Sequence, residues 1–283
     1  AQEFLLDVYL KTKNYESALT ALDAIKDKDI RLQGAYQKLA FDRGVELYEG
    51  RKYPEALAFF QKALKFPVDQ KATVNAHYWA GESDYAMGDF TAALGKYDDV
   101  RNAGGAYASS LYEQAGYSMG YCFFKLKQYD EAATSFRRGL EASGMTRDQR
   151  NDAMVRIGDC YFVNKDEATA ITWYDKAITN GAAASDYAQY QKGICQGLEK
   201  KYTDKIATLK QLLSATPNSQ YAADAKFELG QTYLTLEKDA DALAVYQQVV
   251  VQKLMPMNNA TGMPDAERAL VQRWFEAGAP TGP

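Results

Sequence analysis

The sequence is poor in the residues that most enzymes use for chemistry. It holds one His, three Cys and seven Pro among 283 residues. A single His cannot form the His pair that common metal sites use. Three Cys with no CxxC or CxxCH spacing build neither a disulfide framework nor a haem attachment site. No GxGxxG, Walker loop, GxSxG or HExxH occurs, so the usual phosphate cradles, nucleophile elbows and zincin sites are missing. No apolar run is long enough for a membrane span. A net charge of −4 argues against a nucleic-acid binder, which would show a basic face. On these grounds the chain is expected to be non-enzymatic, without a cofactor or metal.

Aromatic residues are plentiful instead, with 21 Tyr and 12 Phe. They follow a period. Gly44, Gly81, Gly120, Gly158, Gly193 and Gly230 stand 35 to 39 residues apart. Twelve residues after each glycine comes Ala56, Ala93, Ala132, Ala170, Lys205 or Ala242. Extrapolation backwards adds a seventh unit with Leu6 and Ala18 in these two slots. Three residues before the glycine stand Phe41, Tyr78, Tyr117, Val155, Tyr190 and Phe227. Four after it stand Tyr48, Tyr85, Phe124, Phe162, Gly197 and Leu234. Nine after it the slot is again mostly aromatic, with Tyr53, Phe90, Tyr129 and Tyr202. Sixteen after it stand Phe60, Tyr97, Phe136, Tyr174, Leu209 and Tyr246. Over seven units these four slots are a tenth of the chain. They hold 19 of its 33 Tyr and Phe residues, far above chance.

Each unit reads as two antiparallel helices. Offsets −3, 0 and +4 lie on one face of a first helix, and +12, +16 and +19 on one face of a second. Turn-like stretches such as "AMGDF" and "KLKQY" separate them. A glycine inside a helix costs up to about 1 kcal/mol relative to alanine. Its recurrence implies a close approach, expected here against the alanine of the second helix. No unit can bury its apolar face alone, so neighbours must stack.

The pattern resembles the tetratricopeptide repeat (TPR) family, most clearly in "RGVELYEGRKYPEALAFFQKAL" and "MGYCFFKLKQYDEAATSFRRGL". The resemblance implies an all-α, right-handed α-solenoid of about seven helix-turn-helix repeats over residues 1–252, followed by a short C-terminal helix. It also implies a protein- or peptide-binding scaffold whose first helices line a concave groove. The aromatic slots then place Phe41, Tyr48, Tyr78, Tyr85, Tyr117, Phe124, Phe162 and Tyr190 at that groove, with Tyr121, one after its glycine, beside them. The competing reading is that these rings pack adjacent repeats together. Lys205 in an alanine slot implies a helix pair that closes less tightly. The stretch "ATPNSQYAADAKFELGQTYL" resembles TPR proteins of the bacterial cell envelope. It favours a periplasmic or envelope location over the cytoplasm, as does a start without Met, which suggests a cleaved chain or a piece of a longer, multidomain protein.

Cys122, Cys160 and Cys195 each follow a slot glycine by two residues. Equivalent positions on adjacent first helices lie about 8–10 Å apart, beyond the ~7 Å reach of a disulfide. They read as small buried residues. His77 has no nucleophile motif nearby and reads as a surface or groove histidine.

Residues 253–283 break the pattern. Positions 254–283 hold four of the seven Pro and three of the seven Met, and no Tyr or Lys. Asp265 can cap a short helix bearing Leu270, Trp274 and Phe275 on one face. The segment resembles the C-terminal end of a class I c-type cytochrome domain, with Met255-Pro256 at the axial-ligand position. A haem-associated or electron-transfer protein is the alternative this resemblance implies. The attachment motif and a proximal His are missing. The tail stands as a capping helix or as a join between pieces of two proteins.

Overall fold

A computed structural model describes residues 14–103, 110–141, 144–181 and 185–251, together with residue 273. The expectations for Leu6 and for the tail from residue 253 onward, Met255 and the capping helix included, lie outside the described residues. Among the described residues there are thirteen α-helices and no strand. They are α1 (Tyr15–Asp23), α2 (Ile30–Glu49), α3 (Tyr53–Ala63), α4 (Gln70–Met87), α5 (Phe90–Asn102), α6 (Ser110–Lys125) and α7 (Tyr129–Leu140). There follow α8 (Arg147–Val163), α9 (Glu167–Asn180), α10 (Ser185–Leu198), α11 (Tyr202–Ala215), α12 (Ala222–Thr235) and α13 (Asp239–Val251). The all-α class expected from the repeat is thus observed. Even-numbered helices are the first helices of the repeats and odd-numbered ones the second. The chain divides between Thr146 and Arg147 into two compact units. In each, every first helix packs on its own second helix, and that second helix packs on the next first helix.

Local chemistry sets where these helices start and stop. Asp29, Asp69, Asp89 and Asp166 cap α2, α4, α5 and α9, each side chain accepting a backbone N–H three residues on. Within each pair the turn closes by one device. Seven residues after the slot glycine the backbone turns left-handed, at Arg51, Gly88, Lys127, Lys165, Lys200 and Glu237. At Lys127 the N–H donates to the Phe124 carbonyl, and the next N–H, of Gln128, donates to that of Phe123. The same two bonds recur at the other five turns. They satisfy carbonyls orphaned at the end of the first helix. Only Gly88 is a residue type that adopts this conformation without cost.

The slot glycines do meet a close neighbour, but not the expected one. A Cβ on Gly44 would stand 2.6 Å from the Phe60 ring, and one on Gly158 2.6 Å from Tyr174. Gly81 meets Tyr97, Gly120 meets Phe136, Gly193 meets Leu209 and Gly230 meets Tyr246, all at 2.5–2.8 Å. The glycine therefore makes room for the large residue sixteen positions on, a ring in five repeats and Leu209 in the sixth. The slot alanines Ala18, Ala56, Ala93, Ala132, Ala170 and Ala242 are buried elsewhere in the contact between helices.

Lys205 is buried in its alanine slot. Its stem occupies the space above Gly197, where a Cβ would fall 3.0 Å from Nζ. Gly197 stands where other repeats carry Tyr48, Tyr85 or Phe124. The Lys205 ammonium reaches Glu228 of α12 at 2.6 Å. The missing aromatic ring and the buried lysine thus compensate each other.

The cores cross from one repeat to the next. Val74 and Tyr78 of α4 pack with Ala93, Tyr97 and Val100 of α5 and with Ala115, Met119 and Cys122 of α6. Leu209 and Leu212 of α11 pack likewise with Ala225 and Leu229 of α12 and with Ala242 of α13. This is the stacking that an α-repeat needs, since each pair alone leaves an apolar face open.

A candidate protein-binding pocket in the first unit

The pocket forms between two adjacent first helices, α4 and α6, with Tyr97 of the intervening α5 in its lining. Its volume is about 290 Å³. From α4 come Tyr78, Glu82 and Tyr85, which the helical period puts on one face. From α6 come Gln114, Tyr117, Ser118 and Tyr121. Five tyrosines thus surround one carboxyl group.

Hydrogen bonds fix that carboxyl group. Glu82 Oε1 accepts from the Tyr97 hydroxyl at 2.7 Å and from Ser118 Oγ at 3.1 Å. The Tyr78 hydroxyl lies 3.5 Å from Ser118 Oγ. Burial, and then the Glu82 charge, raise the Tyr78 and Tyr97 hydroxyls well above the usual tyrosine range, so they stay protonated and can donate. Tyr85 is raised as well, again mainly by burial. Rings hold one another in place around the pocket. Tyr78 tilts against Tyr97 at 5.7 Å between centroids, Tyr85 meets Phe90 edge-on at 5.3 Å, and Tyr121 meets Phe136 edge-on at 5.2 Å.

Of the nine aromatic residues singled out from the sequence, Tyr78, Tyr85, Tyr117 and Tyr121 come together here. The other five do not line this pocket. Phe41 packs on Phe60 beneath α3, Tyr48 lies between Tyr53 and Trp79, and Phe124 packs on Tyr129. Phe162 and Tyr190 belong to the second unit, where Phe162 joins a core cluster and Tyr190 stacks on Tyr221. For those five, the contacts seen are the ring packing between neighbouring elements that was the competing reading.

Glu82, Tyr97, Gln114 and Ser118 were missed in the sequence. A signal for two of them was present. The residue after the slot glycine is an acid, Glu82 or Asp159, in two repeats whose ring sixteen positions on is a Tyr, namely Tyr97 and Tyr174. Where that residue is Phe60, Phe136 or Leu209, the partner position holds Val45, Tyr121 or Ile194. In the second unit Asp159 Oδ1 accepts from the Tyr174 and Tyr187 hydroxyls at 2.8 and 2.9 Å. Its Oδ2 accepts from Arg156 at 2.6 Å. Burial pushes the Asp159 carboxyl up, against the lowering influence of Arg156 and the two tyrosines.

The remaining candidates are packing features. Cys122, Cys160 and Cys195 are buried on helix faces, and no disulfide joins them. Burial first, and Glu82 second, push the Cys122 thiol up to about 12, while burial raises Cys195 to about 12. Neither is a ready thiolate. His77 is partly buried with Nδ1 3.3 Å from Asp99 Oδ2. Burial lowers its pKa, Asp99 opposes that, and Lys96 adds to the lowering. Among the described residues no cluster of three His, Cys, Asp or Glu side chains could hold a metal ion, and no helix is long and apolar enough to cross a membrane.

A tetratricopeptide-repeat family model matches residues 78–144 and 117–188 of this chain. No curated protein sequence matches it at a significant level. Solved structures do resemble it. The C-terminal part of a TPR repeat-containing protein from Cytophaga hutchinsonii aligns over 93% of this chain and all of its own, with a TM-score of 0.63 and 15% identity. PilF of Pseudomonas aeruginosa aligns over 87% of this chain and 99% of its own, with a TM-score of 0.55 and 13% identity. YrrB, described as a TPR protein with an unusual peptide-binding site, aligns over 66% of this chain and 90% of its own, with a TM-score of 0.53 and 21% identity. At such identities the likeness establishes the fold alone, an all-α helical repeat.

Proposed function

We propose that this protein is a non-enzymatic scaffold that captures a segment of a partner protein at the tyrosine-lined pocket between α4 and α6. The observation that carries this reading is the convergence of Tyr78, Tyr85, Tyr117 and Tyr121 on one cavity. Tyrosine suits such a role, since a rigid ring gives contact area and the hydroxyl a polar contact. The peptide-binding site ascribed to YrrB agrees with it. A bacterial envelope location is part of the same proposal and is tested by fractionating the source cells.

The test uses immobilised nonapeptides with degenerate flanks. Tyr85→Ala combined with Tyr121→Ala is expected to reduce binding at least ~10-fold, the scale of losing an anchor worth more than 1 kcal/mol, while helicity by circular dichroism stays unchanged. A photocrosslinker placed at position 114 should label the bound peptide. Undiminished binding by the double variant would remove the pocket from the function.

A further inference from the structure

The chain contains its own template for what the pocket takes. Asp159 and Glu82 occupy the same repeat position, directly after the slot glycine. Each gives one oxygen to two hydroxyl donors. For Asp159 these are Tyr174, from the second helix of its own repeat, and Tyr187, from the next first helix. For Glu82 they are Tyr97 and Ser118, from the equivalent two helices. The second oxygen is where they part. Asp159 Oδ2 takes the Arg156 guanidinium at 2.6 Å, and that guanidinium lies 5.7 Å from the centre of the Tyr187 ring. Beyond Tyr97 and Ser118 only the Tyr78 hydroxyl bears on the Glu82 carboxylate, which has no ion-pair partner among the described residues. Its own helix offers none, because the position equivalent to Arg156 is Trp79, packed edge-on against Tyr48 and Tyr78.

We infer that the pocket binds a basic side chain of the partner segment, arginine in preference to lysine, with its cation end-on to Glu82 Oε2 and its face against the tyrosine rings. This rests on the scaffold reading above and names the chemistry of the partner. Charge complementarity supports it: one open carboxylate stands in a cavity whose other walls are neutral tyrosine, serine and glutamine side chains. Tyrosine faces attract a cation through the ring quadrupole. A planar guanidinium can stack on a ring while donating at its edge, which an ammonium cannot. Tyr97 and Ser118 already engage Oε1, so the contact would be single, through Oε2, as it is between Arg156 and Asp159.

Blocked nonapeptides with degenerate flanks and a fixed central Arg, Lys, norleucine, Gln or Glu provide the test. Central Arg is expected to bind at least ~10-fold tighter than norleucine, with Lys between them and Glu weakest. The margin should shrink as salt rises. Glu82→Gln retains an oxygen for Tyr97 and Ser118 and should bring Arg down to the norleucine level. Gln114→Glu, which adds a charge at the rim, should widen the margin and serves if Glu82→Gln fails to fold. Equal binding of Arg and norleucine peptides, with both lost in the Tyr85/Tyr121 double variant, would overturn the cation inference and leave the docking site standing. So would an arginine preference that survives Glu82→Gln. Binding untouched by the double variant would overturn both.

Discussion

The acids at Glu82 and Asp159 share a repeat position and a bonding pattern, yet one is open and the other closed. Asp159 is enclosed by Arg156 and two tyrosines, and its side chain is only 8% exposed. Glu82 has the same two-hydroxyl grip on one oxygen, and its side chain lines a cavity. The two acids differ by one methylene, and their surroundings differ more. Position 156 is Arg where position 79 is Trp, and the neighbouring first helix contributes Tyr187 to one acid and Ser118 to the other. A repeat fold can therefore carry the same acid position beside an internal cation in one unit and beside a cavity in another.

The largest expected effect separates the two acids directly. Asp159→Ala removes the acceptor of the buried Tyr174 and part-buried Tyr187 hydroxyls. It also removes one of the two acids on Arg156, which keeps Asp152 at 3.5 Å. It should destabilise the second unit by about 2 kcal/mol. Glu82→Ala removes hydrogen bonds but strands no charge, and should cost about 1 kcal/mol. Urea unfolding of both variants measures this. Equal costs would break the distinction between a closed acid and an open one.

A second effect is common to both sites. Burial and the adjacent acid raise the hydroxyls of Tyr78 and Tyr97 in one unit, and of Tyr174 and Tyr187 in the other, above the ordinary value of 10.0. A raised folded-state pKa contributes stability that is complete below the unfolded value and disappears as pH rises through the folded one. Stability should hold between pH 8 and about 10 and fall above it. Tyrosinate absorbance in an alkaline titration should lag behind that of free tyrosine. If all the tyrosines ionised together near pH 10 in the folded chain, the hydroxyl clusters in both units would be wrongly drawn.

The smallest effect should be the same in the two units. Lys127 and Lys165 sit at equivalent left-handed turns, each with φ 60°. Replacing either with Gly relieves the Cβ conflict at some cost in unfolded-state entropy. The net gain should be about 0.5 kcal/mol at both. A large difference between them in thermal unfolding would show that the two units do not share one repeat geometry.

Much of this architecture was legible before any coordinates. The glycine period and its aromatic slots gave the helix pairs and the stacking, because hydrophobic spacing at offsets of three, four and seven is read by an α-helix alone. Four of the nine proposed groove residues reached the pocket. The other five could not be separated from them by sequence. A slot position fixes a helix face, whereas the neighbouring side chains decide whether a ring on that face packs or stays open. Phe124 finds Tyr129, and Tyr48 finds Tyr53 and Trp79. The glycine's true neighbour was also misjudged, since spacing shows that something approaches without showing which slot does.

The sequence by itself determined the repeat: where helices run, which residues face inward, and that something approaches the recurring glycine closely. These follow from a period, and a period is a one-dimensional property. Tertiary structure decided three other things. It put Arg51, Lys127, Lys165, Lys200 and Glu237 into left-handed turns that their residue types disfavour, because two carbonyl bonds per turn and the closing helix pair outweigh the local cost. It let Lys205 fill the room above Gly197 and pair with Glu228 one helix pair later. It closed one acid and left its counterpart open, because that outcome depends on which side chain the next helix brings alongside.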